Sequence, residues 1–120
     1  MVRITPDVGR NRINIELRGV VTNAHLATAE EQLASALTRV RAPVDVLSDI
    51  RELEALDESI LESFRTLGQK LGAFGVRKVV RVVGKSAKAA VHMERLSRQL
   101  KNHAAHLAFS MEEAEAVFLK

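Results

Sequence analysis

Alternating apolar and polar residues predict two strands near the start of the chain. Residues 11–17, "NRINIEL", place Ile13, Ile15 and Leu17 between polar side chains. This two-residue period is typical of a strand that turns one face to water. A shorter strand around residues 2–5 can pair with it through the turn "PDVGRN".

A longer period predicts four helices. Residues 22–40, "TNAHLATAEEQLASALTRV", and the segment from Asp57 to the glycines of "GAFG" carry apolar side chains every three or four positions. The segments "KSAKAAVHMERLSRQLKNH" (85–103) and "SMEEAEAVFL" (110–119) show the same period. The predicted N-caps are Thr22 or Asn23, Asp57, Ser86, and Ser110 in a capping box with Glu113.

Three more strands separate these helices. "PVDVLSDI" (43–50) and "AHLAFS" (105–110) are short apolar runs, and "VRKVVRVVG" (76–84) has valines for both faces of a covered parallel strand. The order β-β-α-β-α-β-α-β-α, without linkers or repeats, predicts one α/β domain over residues 1–120. We expect a mixed, mostly parallel sheet with right-handed crossovers and helices packed on it.

Composition narrows the class of protein. The chain has no Cys, which excludes disulfides and thiolate metal sites and favours a cytoplasmic location. No apolar run is long enough to span a membrane, and the N-terminus lacks the apolar core of a secretory signal. Four Phe are the only aromatic residues, which argues against a reader of single-stranded nucleic acid.

The charges are divided along the chain. Residues 45–62 contain seven acidic residues against Arg51, and residues 65–103 contain ten basic residues against Glu94. The third predicted helix carries five of these basic residues on its outer surface: Lys85, Lys88, Arg95, Arg98 and Lys101. Such a helix can bind nucleic acid or anionic lipid, although a basic stripe is also typical of a solvated helix face.

No catalytic group of residues emerges from the sequence. "VVGKSAK" lacks the first glycine of a phosphate-binding P-loop, since Val79 stands in its place. His103 and His106 are too few for a zinc site, and His25 and His92 have no nucleophile at a recognisable spacing. We therefore predict a protein that is not an enzyme and that has no metal and no cofactor.

The end of the predicted strand 43–50 and the segment that follows it resemble the STAS domain family, which has the fold of anti-sigma-factor antagonists. Members typically have an apolar strand that ends in Asp-Leu-Ser, a short connection, and then Asp-Ser-Ser-Gly at the start of a helix. In this chain "VLSDIRELEALDESI" supplies the matching positions, which are Asp49, Ile50, Leu53, Leu56, Asp57 and Ser59. The resemblance implies a divergent STAS-like domain that acts in bacterial signalling by binding a protein partner.

In the family's antagonists, the Ser that matches Ser59 accepts a phosphate from a partner kinase, so the resemblance implies Ser59 as a phospho-acceptor. A Ser in a first helical turn lies near free backbone N–H groups, which tolerate added negative charge. The chain departs from the pattern because Glu58 replaces the first Ser, Ile60 replaces the Gly, and Thr22 stands where the family often has Asp. Acidic neighbours oppose a phosphate, and the alternative is that Asp57 caps the helix while Ser59 simply occupies its first turn.

We interpret residues 49–64, called the acidic rim below, as a surface that binds a protein partner. Its candidate contact residues are Asp49, Asp57, Glu58, Ser59 and Glu62. A basic partner can dock there by electrostatic steering, and it can be a signalling kinase, another regulator or a second copy of this chain. Two alternatives stay open: a carrier of a small apolar ligand or lipid, as in related divergent folds, and a binder of anionic surfaces or nucleic acid through the third predicted helix.

Overall fold

Five strands form one sheet in the computed structural model, which describes residues 1–84, Val91, Glu94–Arg95 and 105–120. The strand order is β1-β2-β3-β4-β5. The bounds are β1 (Val2–Asp7), β2 (Arg12–Val21), β3 (Val44–Leu56), β4 (Val76–Val82) and β5 (His106–Ala108). β1 runs antiparallel to β2, and the other neighbouring pairs are parallel. The predicted α/β class with a mixed, mostly parallel sheet is confirmed.

Three helices lie in the described part of the chain: α1 (Asn23–Leu37), α2 (Leu61–Phe74) and α3 (Met111–Phe118). A short 3₁₀ turn, Glu58–Ile60, precedes α2, and α2 ends at Gly75 as predicted. The third predicted helix (85–103) lies mostly outside the described residues. Within it, the described positions Val91, Glu94 and Arg95 have helical backbone.

Each face of the sheet has its own apolar cluster. Val46 on β3 and Val79 on β4 belong to the cluster with α1 and α2, whereas their chain neighbours Leu47 and Val80 pack with α3. This alternation follows from the two-residue period of a strand. The α1 residues that are almost completely buried are Leu26, Ala29, Leu33 and Ala36. Burying a leucine side chain stabilises the fold by roughly 1.5–3 kcal/mol, so α1 is a main contributor to the core.

Basic residues of β2 and β4 hold α3 on its face of the sheet. The guanidinium of Arg12 donates to the Glu115 carboxylate at 2.6 and 3.2 Å and lies 3.9 Å from the centre of the Phe118 ring. Arg77 donates to the Phe118 carbonyl at 3.1 Å, and Lys78 donates to the preceding carbonyl at 2.8 Å. Arg77 and Lys78 therefore meet the last turn of the helix, where its dipole is negative.

The predicted strand 43–50 is too short, because β3 continues to Leu56. Ile50, Leu53 and Leu56 recur every three residues, which hides the two-residue period of a strand. Two register shifts against β2, each with an extra residue on β3, turn all three side chains inward. Gly19 of β2 lies at the second shift with a φ of +64°, a left-handed conformation that glycine adopts without strain.

Gly84 passes directly against the backbone of β3. A Cβ at this position would lie 2.5 Å from the Arg51 carbonyl oxygen and 3.0 Å from the Arg51 Cα, which is closer than non-bonded atoms allow. Backbone packing therefore requires glycine here. The glycine of "VVGKSAK" thus has a structural role that needs no bound phosphate.

Two predicted N-caps are confirmed. Thr22 caps α1, and its N–H donates to Nδ1 of His25 at 3.1 Å. Ser110 caps α3, and its Oγ accepts the Glu113 N–H at 3.1 Å. The Glu113 carboxylate in turn accepts the N–H of Phe109, at 2.8 Å. Each contact satisfies a backbone donor that a helix start would otherwise leave without a partner.

Candidate functional site

Asp57 forms the junction between β3 and α2 in the acidic rim. Its N–H donates to the carbonyl of Val21 at 3.1 Å, which fixes the end of β3 to the end of β2. Its carboxylate accepts the N–H of Ser59 at 3.0 Å, and its carbonyl accepts the N–H of Ile60 at 3.0 Å. Asp57 therefore caps the 3₁₀ turn, whereas the N-cap of α2 itself is Ile60, so the predicted helix cap at Asp57 lies three residues too early.

Ser59 is exposed and is held by the first residue of α1. The side-chain amide of Asn23 donates to the Ser59 Oγ at 2.9 Å and to the Ser59 carbonyl at 3.0 Å. The Ser63 hydroxyl, one turn further along, donates to the Asn23 Oδ1 at 3.4 Å. Asn23 therefore couples the N-terminus of α1 to the acidic rim. From the sequence, Asn23 was predicted only as a possible helix cap.

The acidic residues of the rim differ in their surroundings. Glu52, Glu54, Asp57 and Glu62 are exposed. Asp49 is only partly exposed, and Arg51 donates to its two carboxylate oxygens at 2.9 and 2.8 Å. Burial opposes the ionisation of Asp49, but hydrogen bonds and charge from Arg51 outweigh it and hold the pKa of Asp49 below its ordinary value. Asp49 is thus partly neutralised within the chain.

The remaining predicted site residues are only partly described. Glu58 begins the 3₁₀ turn with its backbone. Arg95 is exposed, whereas Lys85, Lys88, Arg98 and Lys101 lie outside the described residues, as do His92 and His103. His106 is an exposed residue of β5.

A cavity of about 110 Å³ lies between α2 and the sheet. Its apolar lining includes Phe64, Leu67 and Leu71 of α2 and Ile15, Val46 and Val79 of the sheet. The space exists because α2 packs mainly against α1 and makes few close main-chain approaches to the sheet, whereas α1 lies close to β1.

Two polar residues, Ser48 and Arg81, also line this cavity. They are paired in register on β3 and β4, and each is only 7% exposed. Burial lowers the pKa of the Arg81 guanidinium from its ordinary value, and the charge of Glu94 opposes that shift. In the sequence, Arg81 is one of the ten basic residues of 65–103, and its burial in the cavity was not predicted. One feature of the sequence could have indicated this burial: Arg81 is a charged residue between the valines of a strand that was predicted to be covered on both faces.

Within the described residues, no three His, Asp or Glu side chains gather as a metal site requires. No helix in the same part of the chain is long and apolar enough to cross a membrane.

Neither a family model nor a curated protein matches this sequence. Solved structures do match it. An uncharacterised protein from the DUF3478 family with a SpoIIAA-like fold, from Shewanella loihica PV-4, has a TM-score of 0.72 at 18% identity, over 98% of this chain and 91% of that chain. The anti-sigma factor antagonist SpoIIAA in its unphosphorylated form has a TM-score of 0.63 at 12% identity, over 99% and 97% of the two chains. The predicted STAS-like fold is confirmed over almost the whole chain.

Proposed function

On the premise of this SpoIIAA-like fold, we propose that the protein is a non-enzymatic regulatory module that binds a protein partner through the acidic rim. One similar structure is itself an anti-sigma factor antagonist. The observation that carries the proposal is the junction between β3 and α2, where Asp57, Ser59 and Glu62 are exposed close together in the sequence.

The backbone of this junction is fixed before any partner binds. Asp57 closes the turn, and the Asn23 amide holds Ser59 against α1. A preorganised surface loses less conformational entropy on binding than a mobile one. Glu52 and Glu54 continue the exposed acidic surface along β3.

The sign of this charge indicates a basic partner surface, which the exposed carboxylates would steer into contact. A second copy of the chain is one such partner, through the basic residues of 65–103. A contact between two different surfaces of the same chain is head-to-tail, so copies that associate in this way would form rings or open filaments.

In this proposal Ser59 is a recognition residue and not a switch. Its Oγ already accepts a hydrogen bond from Asn23, and its acidic neighbours oppose a phosphate. We expect protein purified from its native cell to have the unmodified mass, with no phosphate on Ser59 by peptide mapping. A stoichiometric phosphate on Ser59 would instead identify the rim as a phosphorylation switch.

The proposal is tested by reversing charge on the rim at residues outside the Asp57 turn. We expect the double variant Glu54→Lys, Glu62→Lys to bind a partner purified with the native protein at least about tenfold more weakly. The reason is that favourable charge contacts become repulsive. Glu31→Lys, at an exposed position of α1, has the same type of charge change and should retain the partner. Binding of the purified partner is measured by biolayer interferometry at two salt concentrations. Equal affinities for the double variant and the wild type would refute a rim contact.

A further inference from the structure

The cavity between α2 and the sheet combines an apolar wall with a buried cation. Phe64 and Leu67 cover it from α2, and Val79 forms part of its floor. Ser48 and Arg81 are paired in register on neighbouring strands, and both residues line the cavity. Charged side chains are rarely this buried unless a partner of opposite charge is close by.

We propose that this cavity binds a free medium-chain monocarboxylic acid, with its apolar tail between α2 and the sheet and its carboxylate at Arg81 and Ser48. A guanidinium can hold a carboxylate through two parallel hydrogen bonds, and a serine hydroxyl can donate a third. This site goes beyond the rim and requires no contact with it.

The volume of the cavity limits the tail. At about 110 Å³ it is smaller than an engineered apolar cavity of about 150 Å³ that holds benzene, so only a short stretch of chain enters without rearrangement. A longer tail must move side chains of α2. Phe64 and Leu67 are partly exposed, and α2 makes few close main-chain approaches to the sheet, so α2 is the wall that can move.

The charge at Arg81 favours an anionic head over a neutral one. The charge of Glu94 already acts on Arg81, and in this proposal the carboxylate of the ligand takes over that role. The exchange keeps a carboxylate beside the buried guanidinium and buries the ligand's tail. A neutral alcohol cannot make this exchange, because it brings no charge to replace Glu94.

The test is calorimetric titration of the full chain with octanoate and with 1-octanol, which have the same tail length and different heads. The wild type should bind octanoate about tenfold more tightly, as charge-assisted hydrogen bonds imply. Arg81→Met should remove this preference, and Glu94→Gln should strengthen octanoate binding without changing that of octanol. From hexanoate to octanoate, affinity should rise about fourfold for each methylene that enters the cavity.

Two matched variants on α2 test the location. Leu67→Phe fills the cavity and should lower the affinity for both ligands about tenfold. Gly72→Ala, at an exposed position of the same helix with open space around it, should leave both affinities unchanged.

Equal affinity of the wild type for octanoate and octanol, or no binding of either, would overturn the proposal. So would a preference for octanoate that persists in folded Arg81→Met. If circular dichroism shows that Arg81→Met does not fold, Ser48→Ala is the deciding variant. It should bind octanoate more weakly than the wild type does and bind octanol with unchanged affinity. An unchanged affinity for octanoate in Ser48→Ala would contradict the site. Loss of partner binding at the rim would not bear on these measurements, so the two proposals fail separately.

Discussion

Arg12 shows how one charged residue is accommodated inside this fold. It is 5% exposed, and its terminal nitrogens bond to Glu115 while the guanidinium stacks over Phe118. Its Nε is buried without a hydrogen-bond partner among the described residues. Removing Glu115 would therefore leave a buried cation without its carboxylate.

We expect Glu115→Gln to lower the free energy of unfolding by about 1–2 kcal/mol at neutral pH. The loss is moderate because the Glu115 side chain is 40% exposed and water screens the ion pair. Urea denaturation measures it. Glu112→Gln, at an exposed position of the same helix, should change the free energy of unfolding by no more than about 0.5 kcal/mol. Equal losses in the two variants would show that the Arg12 pair contributes nothing specific.

Two glycines give opposite predictions for the same substitution. Gly84→Ala should lower the free energy of unfolding by about 1–3 kcal/mol, because the new methyl group overlaps the Arg51 backbone. Gly72→Ala should raise it by about 0.5–1 kcal/mol, since α2 has open space there and alanine favours a helix. Thermal unfolding of both variants distinguishes them. A Gly84→Ala protein as stable as the wild type would rule out the close approach to β3.

Among the secondary-structure elements, α3 is a short helix whose stability depends on the interactions at its two ends. Helices of this length are marginal alone, so the Ser110 cap and the basic residues at the last turn both matter. We expect Ser110→Ala to cost about 1 kcal/mol of stability, measured by urea denaturation. Ser35→Ala, at an exposed position inside α1, should be neutral or slightly stabilising. A neutral result for Ser110→Ala would mean that the cap is dispensable.

β3 shows where sequence patterns mislead at the scale of elements. The predicted strand ended at Ile50 because its apolar residues then recur every three positions. The extra residues on β3 keep the strand paired with β2 as far as Leu56. A bulge depends on the neighbouring strand, so a pattern read along one strand does not reveal it.

At the scale of the whole molecule, ion pairs set the response to acid. Hydrogen bonds from Arg10 and Arg12 lower the pKa values of Asp7 and Glu115, and Arg51 lowers that of Asp49 against the effect of burial. Carboxyl groups with lowered pKa values in the folded state contribute stability above their unfolded pKa values of about 4. This contribution is lost as the pH falls through the lower folded values.

We therefore expect the free energy of unfolding to be almost constant from neutral pH to about pH 5 and to decrease progressively below about pH 4. Urea denaturation across this range measures it. In the Glu115→Gln variant the decrease in the free energy of unfolding at low pH should be smaller, since one carboxyl group with a lowered pKa has been removed. A stability that rises on acidification would contradict these assignments.

The separation of charge along the sequence becomes a smaller separation in space. Of the basic residues in 65–103, Arg77 pairs with Asp45 at 2.8 Å and Lys70 lies 3.9 Å from Glu30. Arg81 is inside the molecule. Composition therefore overstates the basic surface available to a partner.

The order of the described strands and helices was determined by the sequence alone, because the two-residue and three-to-four-residue periods reflect local backbone geometry. The caps at Thr22 and Ser110 and the exposed Asp57 turn were predictable for the same reason. Only the tertiary structure decided that Asn23 meets Ser59, that Gly84 lies against Arg51, and that Ser48 and Arg81 share a cavity under α2. These contacts join residues that are far apart in the chain, and their distances depend on how the helices rest on the sheet, which no local pattern encodes.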